Sequence, residues 1–297
     1  MELCLGTVQF GMDYGILGQK KPPLEYAVSC LDYATQNGVS AIDTAVAYGN
    51  AEEVVGAFLA KKTISRDKLF ISTKLRPNIL DNLDAGELEK TIRENLQASL
   101  KTLHTDYVDA YLLHSSRYAY RPDILKALSI VRKEGLAKKV GVSVYEPKEA
   151  MACMRQEDMN FIQLPYSIFD HRMAHGGVFE EAEGCKCQIH ARSAFIQGLI
   201  VLTQEQVPPF LEGAKPILRR MDGLCREAGI SRIELAFAYV KKMKGISHLV
   251  FGVDSMEQLK EDILLFGHDV PQELVERMEE EFDQIPAEIM MPSLWKR

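Results

Sequence analysis

VSAIDTAVAYGNAEEVVGAFLAKKTISRDKLFISTK, residues Val39–Lys74, holds one whole strand–helix–strand unit. Val39–Asp43 and Leu69–Lys74 are short apolar runs rich in Val, Ile, Phe and Leu, as strands buried on both faces should be. Between them Ala51–Lys61 reads as a helix. Two buried strands joined by a helical crossover pair in parallel. Working outward, the same alternation recurs. Leu3–Gly6 precedes the unit, and Tyr107–His114, Lys139–Val144, Phe161–Leu164, Gln188–Arg192 and Ser247–Gly252 follow it, which makes eight runs.

Helical patterns fill the gaps. Leu24–Asn37 places Ala27, Val28, Leu31 and Ala34 on one face and ends at Asn37-Gly38, a C-cap signal. Glu87–Leu103 spaces Leu88, Ile92, Leu96 and Leu100 helically and offers an i,i+4 pair, Glu89–Arg93. Pro122–Glu134 opens with proline in its first turn and stops at Gly135. Pro147–Met154, a segment near Gly177–Ala182, Lys215–Glu227, Ile233–Lys244, Met256–Phe266 and Gln272–Phe282 complete the series. The pattern predicts an α/β chain, a (β/α)₈ TIM barrel with extra helices before the last strand and at the C-terminus. It is expected to form one domain over residues 1–297. An open doubly wound sheet is the alternative. It would carry a GxGxxG turn after its first strand, and Gly6-Thr7-Val8-Gln9-Phe10-Gly11 does not fit.

Composition agrees with a folded enzyme-sized chain. The 297 residues are 46% hydrophobic and 26% charged, and 35 Lys+Arg stand against 42 Asp+Glu, a net charge of −7. That excludes disordered and collagen-like classes and argues against nucleic acid as the main partner. No apolar run reaches the roughly 18 residues of a membrane span, and no signal peptide is read at the start. A cytoplasmic protein, monomer or small homo-oligomer, is expected. The 6 cysteines have no paired CxxC spacing, and Cys185-x-Cys187 is read as structural, not as a metal site. Lys20-Lys21, Lys61-Lys62, Lys138-Lys139 and Lys241-Lys242 are read as solvated helix ends.

In a barrel of this kind chemistry gathers at the C-terminal strand ends. The runs end in, or carry near their ends, Asp43, Lys74, His114, Ser143, Gln163, Arg192-Ser193 and Gly252-Val253-Asp254, with Tyr48 five residues past Asp43. A phenol is a poor acid at neutral pH, and a cationic lysine beside it stabilises the phenolate and lowers its pKa. A carboxylate keeps such a lysine charged, and a histidine can orient the reacting oxygen. The set suits carbonyl reduction by a cofactor-borne hydride. Ser143 and Gln163 are placed to hydrogen-bond a carboxamide.

The segments GVSAIDTAVAYGNAEEVVG (Gly38–Gly56), LFISTKL, YVDAYLLH, GVSVY, IQLPYS, ARSAFIQGL and FGVDSMEQLKED resemble the aldo-keto reductases, in order, from Leu3 to about Phe266. The resemblance implies reduction of an aldehyde or ketone, sugar-like compounds included, by NADPH or NADH on a barrel without metal. Tyr48 would be the acid, Lys74 and Asp43 its tuning pair and His114 the orienting group. Gly6 and Thr7 would join the cofactor site, and Ser143 and Gln163 would hold the nicotinamide. Ser193 through Gly198 would line the pyrophosphate, and Gly252, Val253, Asp254, Gln258 and Asp262 the adenosine end. Departures from the family pattern are Val144 where asparagine is common and Arg192 where an aromatic often stacks, the latter able to stack or to bind an anionic substrate. Asp254 and Gln258 stand where NADP-preferring members carry Lys or Arg, and the N-terminal hairpin that often plugs the barrel floor is not expected. Two other functions compete. One is a catalytically weak, cofactor-binding redox sensor on the same fold. The other is a metal-dependent hydrolase, which would need an HxH pair that Leu3–Gly6 does not offer. Tyr14, Tyr145, Tyr166 and Phe169 are candidate pocket walls or packing residues. His190 is a candidate for the barrel interior, and Trp295 for either the site mouth or the barrel side.

Overall fold

Eight parallel strands pair in chain order and close on themselves, the last beside the first. They are β1 (Glu2–Gly6), β2 (Ala41–Asp43), β3 (Phe70–Leu75), β4 (Val108–Leu113), β5 (Ala137–Ser143), β6 (Phe161–Pro165), β7 (Gln188–Arg192) and β8 (Ile246–Phe251). The computed structural model describes residues 1–296. Helices cover the outside, and two, Ala214–Ala228 and Arg232–Lys242, lie between β7 and β8, one more than the crossover needs. Gln272–Glu281 and the short Ala287–Met290 follow the last barrel helix, Met256–Phe266.

Strand alternation sorts each residue inward or outward. On β3, Ile71 and Leu75 join the main core under the helices. Phe70 instead packs with Ala110, Leu112 and Phe161 in a separate cluster inside the barrel. The same inward parity carries Ser72 and Lys74. The helix Ala85–Leu103 meets the outside of the sheet through Leu88, Ile92, Leu96 and Leu100, all buried. Each contributes roughly 1.5–3 kcal/mol of hydrophobic stabilisation before entropy is counted. A capping box at Asp84 and Glu87 starts that helix.

The barrel floor is filled by aromatic side chains. Phe70 and Phe161 stack at 5.7 Å, and His190 packs on Phe161 at 4.6 Å and on His248 at 4.4 Å. His190 therefore points inward, and burial drives its pKa well down, so the ring packs as a neutral body. Gly141 on β5 has no alternative, because a Cβ there would lie 1.6 Å from the Phe161 carbonyl oxygen.

Three expectations need correction. β5 starts at Ala137, so Lys138-Lys139 are strand residues and not a helix end. Lys138 pairs with Asp109 at 2.9 Å, and its ammonium lies over Tyr107. Lys20-Lys21 lie in the loop after β1, where Lys20 bonds Asp13. Arg93 leaves Glu89 and reaches Glu134 with a bidentate pair at 2.7–3.0 Å, because the fork geometry favours the carboxylate across the groove.

Candidate active site

β2 and β3 lie side by side with Asp43 opposite Ser72, and two residues on β3 further places Lys74 on the same inner face. The Lys74 ammonium is wholly buried. It donates to the Asp43 carboxylate at 2.7 and 2.8 Å and to the Thr44 carbonyl at 3.0 Å. Asp43 also accepts from Ser72 Oγ at 2.8 Å and from Gln163 Nε2 at 2.7 Å. The carboxylate is thus fully engaged, as a buried charge must be.

Tyr48 is on the loop after β2. The Lys74 ammonium lies 4.8 Å from its ring centroid, and His114, the residue following β4, meets the ring edge-on at 5.6 Å. Two glycines hold this loop in place. A Cβ on Gly11 would lie 1.8 Å from the Tyr48 carbonyl oxygen, and Gly49, at φ +61°, packs against the Gly11 carbonyl. Asn50 N–H donates to that same carbonyl at 3.2 Å. The loop after β1 therefore buttresses the loop that bears Tyr48.

The electrostatics differ from the simple expectation for Tyr48. Burial raises its pKa, Lys74 lowers it and Asp43 raises it, so the phenol ends above its ordinary range. Lysine offsets burial in part and does not overturn it. Burial alone would drive Lys74 down, but the Asp43 carboxylate and Tyr48 override that and hold the ammonium charged. Burial, with the Lys74 charge, pushes His114 down to about 3, so the imidazole is neutral at physiological pH.

These groups stand at a cavity of about 450 Å³. Gly6, Thr7, Asp43, Tyr48, His114, Ser143 and Arg192 line it, as do Ser193, Gly198, Gly252, Asp254, Gln258 and Asp262. Three expected residues do not reach its surface. Lys74 acts from behind Tyr48. Gln163 is buried, its amide nitrogen on Asp43 and its oxygen accepting from Ser143 Oγ at 3.3 Å. Val253 is buried in the core.

Arg192 donates to the Val144 carbonyl at 2.9 Å and to Ser193 Oγ at 3.2 Å, and its guanidinium lies 4.5 Å from the Tyr145 ring centroid. Among the described residues no carboxylate pairs with it, and it is one of the residues lining the cavity. Past it the chain bends sharply. Ser193, Ile196 and Gln197 all have positive φ, and Gly198 follows at +93°. A β-branched Ile196 at +49° is backbone strain of the kind that collects at functional sites.

Tyr14 and Tyr145 line the cavity, whereas Tyr166 and Phe169 pack in the core. Trp295 is turned away, with its indole N–H donating to the Ile289 carbonyl and its ring near Phe210. The tail reaches the cavity through Met290–Ser293 instead. Sequence reading missed Gln9, whose amide packs on Gly252 with its oxygen buried and unpartnered among the described residues, and Asp170 and Arg172, which line the cavity. Gln9 was legible only as part of a motif that failed to match. Asp170 lies in the loop after β6 and Arg172 opens a helix of a single turn, too short to show a period.

A sequence model of the aldo/keto reductase family matches residues 2–281. Methylglyoxal reductase DkgA of Salmonella typhimurium is 38% identical over 132 residues, 44% of this chain and 44% of that enzyme, so the alignment spans less than half of its length. D-arabinose 1-dehydrogenase of Saccharomyces cerevisiae is 27% identical over 80% of this chain and 75% of that one. The NADH-specific methylglyoxal reductase of Escherichia coli is 25% identical over 79% and 81%. Among solved structures, the holo form of aldo-keto reductase AKR11C1 from Bacillus halodurans superposes with a TM-score of 0.76 over 97% of this chain and 95% of its own, at 19% identity, a likeness of fold. With the closed eight-stranded barrel and a family match over nearly the whole length, this chain belongs to the aldo/keto reductase family.

Proposed function

We propose that this protein is an NAD(P)H-dependent reductase of small aldehydes or ketones, with Tyr48 as the proton donor. The observation that carries the proposal is the fully buried Lys74 ammonium, held by Asp43 on one side and set against Tyr48 on the other.

The residues present fit a dinucleotide. Both carboxylate oxygens of Asp262 and the amide oxygen of Gln9 are buried, lack a partner and belong to cavity-lining residues. Buried polar atoms left this way ask for a ligand donor. The strained turn through Ser193–Gly198 and the Arg192 charge suit an anionic middle section. Asp254, Gln258, Asp262 and Gln9 would hold the adenosine end, and Ser143, backed by Gln163, the nicotinamide end. A bound reduced nicotinamide supplies the hydride. Tyr48, its pKa kept above the ordinary value by burial, holds its proton until the carbonyl oxygen gains negative charge. Lys74 then stabilises the phenolate. Asp43 keeps Lys74 charged throughout. His114, neutral, directs the substrate oxygen by a hydrogen bond and does not compete as an acid. Its Nδ1 is buried, which leaves Nε2 as the nitrogen to face the cavity.

The adenosine end favours NADH. Asp254 would repel a 2′-phosphate, and the cationic residues lining the cavity are Arg172 and Arg192, among the described residues. Arg172 is committed to Asp170 and Glu146. The E. coli relative whose name specifies NADH points the same way. Its name, and that of the yeast D-arabinose 1-dehydrogenase, support a substrate among small oxygen-rich carbonyl compounds, from 2-oxoaldehydes to sugar aldehydes.

Tyr48→Phe tests the reading. NADH consumption with a panel of such aldehydes should fall about 10²–10⁴-fold, the usual worth of a general acid, while NADH affinity measured by fluorescence stays the same. Turnover close to that of the parent would remove Tyr48 from the mechanism.

A further inference from the structure

Outside the cavity, the loop after β6 meets the C-terminal segment at His171, His175 and Asp283, and one donor atom from each lies within 4.8 Å of the others. His171 N-caps the short helix Arg172–His175, and the His175 N–H donates to its carbonyl at 3.0 Å. One helical turn thus sets both imidazoles on the same face. Asp283 Oδ1 stands 3.6 Å from His171 Nδ1 and 3.3 Å from His175 Nε2. Ligand atoms about 2.0–2.2 Å from a tetrahedral ion are roughly 3.3–3.6 Å apart, so Asp283 is spaced from each imidazole as two ligands of one ion would be.

A second, independent feature points to a ligand. His171 is buried, with 3% of its surface exposed, and its Nδ1 has no hydrogen-bond partner. Its Nε2 lies 2.9 Å from the Ile168 carbonyl, which accepts the ring proton. That bond fixes the tautomer and leaves a lone pair on Nδ1, as the outer partner of a metal-bound histidine does. The ring is clamped by Tyr239, stacked at 5.0 Å. Phe282, buried against Phe169, holds the neighbouring Asp283 in place. His175 and Asp283 are open to solvent and leave room for a water as fourth ligand.

We propose that His171, His175 and Asp283 form a site for a divalent transition metal, zinc by its nitrogen-rich donor set. The ion would staple the loop after β6 to the C-terminal segment. Both run into the cavity wall, through Asp170 and Arg172 on one side and Met290 and Met291 on the other. The proposal stands on this cluster alone and is independent of the reductase reading.

The test is zinc binding by the full chain after treatment with a chelator, by competition with a chromophoric indicator. One equivalent should bind with micromolar affinity or tighter. His175→Ala and Asp283→Asn, both at exposed positions, should each weaken binding at least tenfold. Cys185→Ser, at the exposed cysteine, should leave it unchanged. A zinc-dependent rise in melting temperature should appear in the parent and vanish in both ligand variants. No binding at micromolar zinc, or equal binding by His175→Ala and Asp283→Asn, overturns the proposal.

Discussion

Asp262 offers the most quantitative check on the cavity. The residue lies on the helix Met256–Phe266, is wholly buried, and has neither oxygen hydrogen-bonded. Burial, with a smaller push from Glu261, raises its pKa from 3.8 to about 7. A carboxyl with a raised folded pKa keeps a proton that the unfolded chain has released. Stability therefore falls as pH rises from about 4 to about 7 and is level above that. At about 1.4 kcal/mol per pKa unit, the three-unit shift costs roughly 4 kcal/mol at pH 8.5 and roughly 2 kcal/mol at pH 5. Asp262→Asn removes the titration and keeps the shape. Its amide carries its own burial penalty of about 1–3 kcal/mol, but that does not depend on pH. The stability difference between variant and parent should thus shift by roughly 2–3 kcal/mol in favour of the variant from pH 5 to pH 8.5. Urea denaturation of the ligand-free protein at both values measures it, with m-values compared to confirm that the unfolded states match. A pH-independent difference would show that Asp262 is not strained by burial, and the case for a ligand donor at that end of the cavity would go with it.

Four further outcomes are expected. Gly11→Ala should lower stability by about 1–3 kcal/mol and displace Tyr48, lowering turnover, since the new Cβ meets the Tyr48 backbone. Gly86→Ala, at a helical position with open space around it, should raise the melting temperature slightly and leave turnover alone. The His114 ring, held near 3 by burial and Lys74, should show no NMR titration between pH 5 and 8; a midpoint near 6.5 would mean that the ring is solvated. Asp254→Arg should move the NADPH-to-NADH ratio of kcat/KM upward at least tenfold, and an unchanged ratio would place the 2′ recognition elsewhere.

What the sequence made legible is what strand alternation controls. Asp43, Lys74 and His114 stand out because a buried apolar run that ends in a charged or imidazole side chain departs from its own pattern. Ser143 and Gln163 follow by the same parity. β5 hid its first residues because Lys138-Lys139 open it at the barrel's wet end, where polar side chains carry no pattern. Contacts between distant loops were not legible at all. Nothing local to Gly11 says that its Cα faces the carbonyl of Tyr48, and nothing near Arg93 says that Glu134 draws it away from Glu89. The turn at Ser193–Gly198 was hidden for another reason. Ile196 and Gln197 are residues that ordinarily avoid positive φ, so their backbone strain leaves no mark in composition.

The division of labour in the site follows from which groups burial is allowed to neutralise. Burial pushes Tyr48 and His114 toward their neutral forms, and each has that form available at neutral pH. Lys74 is buried as deeply, yet it stays charged, because the Asp43 carboxylate pairs with it and is itself positioned by hydrogen bonds from Ser72 and Gln163. The one cation behind the phenol is therefore made by strand residues inside the barrel, where geometry is stiff. The phenol it faces is on the loop after β2, which Gly11 and Gly49 hold against the loop after β1. This arrangement places the cost of a buried ion pair in the part of the fold best able to keep it aligned. On the proposed reading it leaves the phenol uncharged until a developing alkoxide makes its ionisation favourable.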